Sequence, residues 1–218
     1  MSPNFQPRLD VLPEAQRRLW EELGDTPPGF VLYGGTALAL RLGHRHSEDF
    51  DFFSREAFSP RSLKAAVAYL RDSETIQSGT NTLTCIVDRG GPVKVSFFGG
   101  WDLNRVGEPE WAGHIWVASA LDLLALKLGL LGEREASKDY LDIDALLGAG
   151  FDLSQGMAAA QAVYGSQFNP WISLKALTCY DGGDLHRLDA SVRERLTVAA
   201  KALNPRTLPT LPAKKGPR

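Results

Sequence analysis

The sequence predicts an α+β protein, a mixed-sheet module followed by a helical C-terminal half, and three observations carry that reading. Between residues 30 and 98 short apolar or alternating runs are punctuated by glycine and charge, as strands are. From Ser119 onward the chain reads almost wholly as helix. Gly99-Gly100 and the stretch Gly107 to Gly113 are the breaks between the two regimes. The organisation expected is a module over residues 1–113, a helical region over 114–203 and an extended basic, proline-rich tail over 204–218.

The elements follow in order. Helical periodicity covers Pro13 to Leu23, and the apolar run Phe30 to Tyr33 is a strand. Gly34-Gly35 then turns the chain into the helical run Thr36 to Leu42, and Asp49 to Phe53 alternates acid with aromatic as a second strand. A helix over Pro60 to Leu70 precedes three strands, Thr75 to Ser78, Thr82 to Val87 and Val93 to Phe98. Five helices complete the chain: Ser119 to Leu131, Lys138 to Leu147, Ser154 to Val163, Pro170 to Tyr180 and Ala190 to Leu203.

The chemistry concentrates between residues 33 and 53. In a strand alternate side chains share a face, so Ser47, Asp49 and Asp51 face one way while Phe50 and Phe52 anchor the other face in the core. Two carboxylates that close repel each other unless a cation lies between them. Magnesium accepts one or two carboxylates and keeps positions for water and phosphate oxygens. Alone, Asp-x-Asp reads as the wet face of an amphipathic edge strand, the usual fate of acids that alternate with aromatics. The context upstream favours the metal, because a glycine turn lets a ligand approach the backbone and the helix N-terminus behind it attracts an anion. Arg41, Arg45 and His46 add positive charge to the same interval. Four histidines and two separated cysteines offer no ligand pattern for zinc.

The run from Gly34 to Phe53 closely resembles the opening signature of the AbiEii/AbiGii toxin family, nucleotidyltransferases of the DNA polymerase beta superfamily. Ser119 to Lys127, Arg134 and Lys138-Asp139-Tyr140-Leu141-Asp142 are similar to that family's second block. The resemblance implies a nucleotidyltransferase-like fold. It implies that Asp49 and Asp51 hold magnesium or manganese, that Gly34, Gly35 and Thr36 seat the triphosphate of a nucleoside triphosphate with Arg41 and Ser47 beside them, and that Lys127 and Asp139 are catalytic. It also implies a toxin with a cognate antitoxin protein, and an RNA acceptor of which tRNA is the leading candidate. The superfamily commonly adds a third carboxylate from a neighbouring strand, and here Ser96 stands where that acid is expected. Serine cannot act as base, a role worth about 10²- to 10⁴-fold. Asp88, Asp102 or the Asp139/Asp142 pair could supply an acid in its place. A member that binds nucleotide or antitoxin without turnover and an aminoglycoside-type small-molecule transferase are the alternatives.

Lys127 lies within a leucine-rich helical run, where it either reaches a triphosphate or snorkels to solvent. Lys138 and Asp142, four apart, also suit an ordinary surface ion pair.

With 44% hydrophobic and 23% charged residues, 218 residues can bury about 70% of their unfolded surface without disulfides. Cys85 and Cys179 read as two buried thiols rather than a disulfide framework, which points to a reducing cytoplasm. Met1 to Pro7 lacks the apolar segment of a signal peptide, and no run of about 18 apolar residues suggests a membrane span. The net charge of −2 gives no general attraction to nucleic acid. Residues 204 to 218 carry Arg206, Lys214, Lys215 and Arg218 and no acid, so any contact of the body with RNA would need a local patch.

Overall fold

The computed structural model describes residues 5–217, so Arg218 of the basic tail and the first four residues of the Met1 to Pro7 segment lie outside it. The chain divides into two compact units, one comprising Met1–Asp102, Glu108–Ser119 and Lys215–Arg218, the other Leu103–Gly107 and Ala120–Lys214.

The first unit is built on a mixed sheet of seven strands: β1 (Val31–Tyr33), β2 (Asp49–Phe53), β3 (Glu74–Gly79), β4 (Thr82–Asp88), β5 (Pro92–Phe98), β6 (Glu110–Trp111) and β7 (Trp116–Val117). Their spatial order is β3-β4-β5-β2-β1-β7-β6. Strand β2 lies antiparallel to β1 and parallel to β5, so its central position is set by partners far apart in the chain. The two-residue strands β6 and β7 fall within or beside the stretch expected to be a passage, and β7 joins the sheet parallel to β1. They are too short to show any periodicity.

Among the described residues this unit holds the helices α1 (Glu14–Trp20), α2 (Gly34–Leu42) and α3 (Pro60–Ala66). Helix α2 begins on the glycines themselves, two residues earlier than expected. It ends at Gly43, whose φ of 66° lets its N–H reach the Ala39 carbonyl at 2.8 Å. Beyond α3 the expected helix gives way to a 3-10 turn, Ala68–Leu70. Phe50 and Phe52 of β2, Val95 and Phe97 of β5 and Leu83, Cys85 and Val87 of β4 are all at most 1% exposed, whereas Cys179, expected as a second buried thiol, is exposed. Phe52 stacks on Phe97 at 5.3 Å, and Trp20 of α1 lies 6.4 Å from Phe50. These contacts hold β2 by its aromatic residues and leave Asp49, Asp51 and Phe53 half-buried on the other face.

The second unit contains α4 (Ala120–Leu130), α5 (Ser137–Gly148), α6 (Leu153–Tyr164), α7 (Pro170–Ala176) and α8 (Ala190–Ala202). Asp152 caps α6 by accepting from the Ser154 and Gln155 N–H groups at 2.6 and 3.1 Å. Asn169 caps α7 in the same way, ahead of Pro170. The segment after α8, expected as an extended tail, includes a 3-10 turn at Pro205–Thr207 capped by Asn204 and a short strand at Lys214–Lys215.

Helices α4 and α6 approach closely because each offers a glycine. A β-carbon on Gly156 would lie 2.6 Å from Leu124 Cδ2, and one on Gly129 would lie 2.5 Å from the Tyr164 ring. Overpacking costs about 1–3 kcal/mol, while alanine in place of a helical glycine returns at most about 1 kcal/mol. Gly156→Ala should therefore lower the urea midpoint, against the direction of helix propensity.

Candidate active site

The site grows out of the β1–α2 junction and β2. Tyr33 pairs with Asp51 across the antiparallel ladder, which places the diglycine turn beside the acidic end of β2. Gly34 takes φ 75°, and a β-carbon there would stand 3.0 Å from Asp51 Oδ2. The Asp51 carboxylate thus lies directly against the Gly34 backbone. At Gly35 a β-carbon would meet Arg45 Nη2 at 2.5 Å and Ser47 Oγ at 3.1 Å. The Thr36 hydroxyl lies 2.9 Å from Ser47 Oγ and within hydrogen-bonding reach of the Asp49 carbonyl. Gly34, Gly35, Thr36, Ser47, Asp49 and Asp51 therefore form one group, joined by Arg45.

Gly34→Ala tests this packing. The left-handed backbone costs a non-glycine residue about 1–2 kcal/mol, and the new methyl would press on Asp51. Gly35→Ala meets chiefly the flexible end of Arg45. The expected result is a measurable stability loss for the first variant only, together with weaker nucleoside triphosphate binding in both, read by urea denaturation and titration calorimetry.

Arg41 is not brought to this group. Its Nε and Nη2 donate to the Ala118 carbonyl at 3.0 and 2.6 Å, and its Nη1 lies 3.2 Å from Glu110 Oε1. With a side chain only 9% exposed, it ties α2 to the β6–β7 edge. Burial pushes its guanidinium pKa down, and Glu110 partly restores it.

The neighbouring strand β5 contributes two side chains to the acidic face. Its parallel register sets Lys94 opposite Asp49 and Ser96 opposite Asp51. Lys94 Nζ donates to Asp49 Oδ2 at 2.7 Å, and this bond holds the ammonium pKa above its ordinary value. Ser96 is 3% exposed, so the strand position beside Asp51 carries a hydroxyl. Asp88 sits at the β4–β5 turn, where its carboxylate accepts from the Gly90 and Gly91 N–H groups. Lys94 was missed in the sequence; its only signal was the Lys-x-Ser alternation matching Asp-x-Asp once the two strands are known to be adjacent.

A divalent cation fits the donor set as far as it goes. Asp49 and Asp51 are two hard oxygen donors on one face, and magnesium and manganese both favour oxygen ligands. Among the described residues no group of three or more His, Cys, Asp or Glu is placed to hold a metal, so the remaining ligands would be water and substrate oxygens.

Lys127, Asp139 and Asp142 meet inside the second unit. Lys127 Nζ lies 2.6 Å from both Asp139 Oδ1 and Asp142 Oδ2, and Arg134 donates to Asp139 from Nε and Nη2 at 2.7 and 2.9 Å. Lys127 is 5% exposed and both aspartates are fully buried. The lysine is thus neither snorkelling to solvent nor an isolated charge among leucines. Burial pushes the Asp139 carboxyl up, but Arg134 and Lys127 together outweigh it and hold the pKa below the ordinary 3.8. Arg134 keeps 46% of its side chain exposed, and its pKa is raised by the bond to Asp139.

A Helicobacter pylori protein provisionally assigned as a nucleotidyltransferase superposes with a TM-score of 0.55 at 20% identity, over 86% of this chain and 90% of that one, and so shares the fold. A Megavirus polyadenylate synthase reaches a TM-score of only 0.42 at 14% identity, over 60% of this chain and 30% of its own, too little to support an argument. An uncharacterized protein of Aquifex aeolicus (strain VF5) is 31% identical over 131 residues, which are 58% of this chain and 62% of that protein's length. The family described as nucleotidyl transferase AbiEii toxin, type IV toxin–antitoxin system, matches residues 18–202, and the chain belongs to that family.

Proposed function

We propose that the protein transfers a nucleotide from a nucleoside triphosphate to an RNA acceptor, with a divalent cation, as the toxin of a two-component system whose antitoxin is a cognate protein. The observation that carries this reading is the contact of the Asp51 carboxylate with the diglycine turn, beside Arg45 and Ser47. The turn and the α2 N-terminus supply backbone donors for phosphate oxygens, and Arg45 supplies a delocalised positive charge. Asp49 and Asp51 would hold magnesium or manganese, which when bound neutralises charge on the phosphate oxygens. Asp49 would have to exchange Lys94 for that cation.

In the transfer the acceptor hydroxyl oxygen forms a bond to the α-phosphorus, the bond to the bridging oxygen breaks, and diphosphate leaves. The hydroxyl proton passes to water, since Ser96 is no base. Catalysis then rests on positioning and charge neutralisation, as phosphoryl-transfer chemistry allows. Asp139, Lys127 and Arg134 form an ion-pair cluster within the second unit, and Arg134 is the cation of that cluster with an exposed side chain.

The test is incubation of the purified protein with Mg²⁺ and each labelled ribonucleotide in the presence of cellular RNA. Label appearing in RNA supports the reading, and its absence with all four nucleotides rejects it. Ser96 favours a second reading, in which nucleotide is bound but not turned over. Ser96→Asp separates the two, because a gain of transfer from an inactive wild type would identify the missing carboxylate as the cause.

A further inference from the structure

Beyond Asp51 the acidic face of β2 turns aromatic. Phe53, two residues on and about 6–7 Å away along the strand, stacks on Phe98 at 4.8 Å and meets Trp101 edge-on at 4.2 Å. Trp101 in turn stacks on Tyr33 at 5.9 Å. Tyr33 is buried, whereas Phe53, Phe98 and Trp101 are each half-buried and keep part of their surface open. Trp101 is held in place by its own backbone, whose N–H donates to the Ser54 carbonyl at 3.1 Å, while Gly100 N–H bonds Glu56 O at 3.2 Å. Three preorganised rings thus border a pair of carboxylates, an unusual neighbour for apolar surface unless the ligand is itself part anion and part aromatic ring.

We propose that Phe53, Phe98 and Trp101 form a stacking shelf for the terminal nucleobase of the RNA acceptor. The assignment rests on the transferase reading above and on direction. The diglycine turn, Arg45 and Ser47 lie at the Asp49–Asp51 end of β2, Phe53 and Phe98 lie at the opposite end, and Trp101 packs on Phe53 and on Tyr33 opposite Asp51. In an in-line displacement the attacking and leaving oxygens stand on opposite sides of the phosphorus. If the turn seats the phosphates that leave, the acceptor hydroxyl approaches from the Phe53 side, and the base attached to the same ribose reaches the rings. Stacking of this kind tolerates any base, because every base has a π-face.

The experiment uses the full chain and three probes: a short fluorescein-labelled single-stranded oligoribonucleotide, the same oligomer with an abasic 3′-terminal ribose, and each ribonucleoside triphosphate with Mg²⁺. Trp101→Ala should raise the Kd of the intact oligomer about 5- to 150-fold, and Trp101→Phe, which keeps a ring, should largely restore it. The abasic oligomer should bind the wild type weakly and lose little more on Trp101→Ala, while triphosphate affinity stays unchanged. A Trp101→Ala effect on triphosphate binding would assign the shelf to the incoming nucleotide and overturn the proposal. An equal loss for intact and abasic oligomers, no loss at all, or no oligomer binding by the wild type would overturn it as well. Failure of the underlying site reading shows separately, as absence of Mg²⁺-dependent triphosphate binding in the wild type.

Discussion

Asp51→Asn should lower nucleotide transfer on the order of 10³-fold, the loss of about 4 kcal/mol of transition-state stabilisation. The substitution removes a charge that lies against Gly34 and faces half-open surface, while Phe50 and Phe52, which hold the strand, are untouched. Asp49→Asn should lose activity in the same direction and also release Lys94 from its bond. That pair has 39% and 41% of its side chains exposed, so its loss should change stability by less than about 1 kcal/mol. Transfer of labelled nucleotide and a urea titration on each variant check the two halves of the expectation. Full activity in both Asn variants would remove the acidic pair from the mechanism.

Lys127→Met should be the most destabilising single change at the second cluster. It leaves two fully buried carboxylates with Arg134 as the remaining cation of the group, and breaking a buried ion pair from one side costs about 3–5 kcal/mol. At about 2–4 °C per kcal/mol for a chain of this size, the midpoint of thermal unfolding should fall by roughly 6–20 °C. The pH dependence has a definite sign. The folded protein holds the Asp139 pKa below 3.8, so the native state binds fewer protons than the unfolded chain in that range. The contribution is complete above the ordinary carboxylate value and is lost as pH falls through the lowered one. Denaturation midpoints of the wild type and Lys127→Met should therefore converge on acidification. A midpoint gap that is small at neutral pH would show that the cluster contributes little to stability.

In the second block local pattern fixed the burial and the spacing of the charges but not their pairing. Leucines around Lys127 marked a buried helix face, and Lys138-Asp139 with Asp142 marked acids one turn apart, yet a surface ion pair of Lys138 with Asp142 was an equally physical expectation. The structure gives both acids to Lys127 instead, because α4 and α5 pack with those residues facing each other. Arg41 illustrates the opposite case. Its position near the diglycine in sequence suggested phosphate, but a helix places residues seven apart two turns along its axis. Arg41 therefore lies at the far end of α2 from Gly34, bound to Ala118 and Glu110, while Arg45, in the loop that returns toward β2, reaches Gly35.

By itself the amino-acid order determined what depends on neighbours along the chain: the strand–diglycine–helix junction, the direction of Asp49 and Asp51 opposite Phe50 and Phe52, and the helical character after Ser119. Those features follow from backbone periodicity and from the conformations open to glycine, which act over a few residues. Tertiary structure alone decided that Lys94 meets Asp49, that Ser96 stands beside Asp51 and that Phe53, Phe98 and Trp101 close into one aromatic surface. All three depend on β2 and β5 lying parallel, and a parallel register is set by the packing of the intervening chain, which no local pattern encodes.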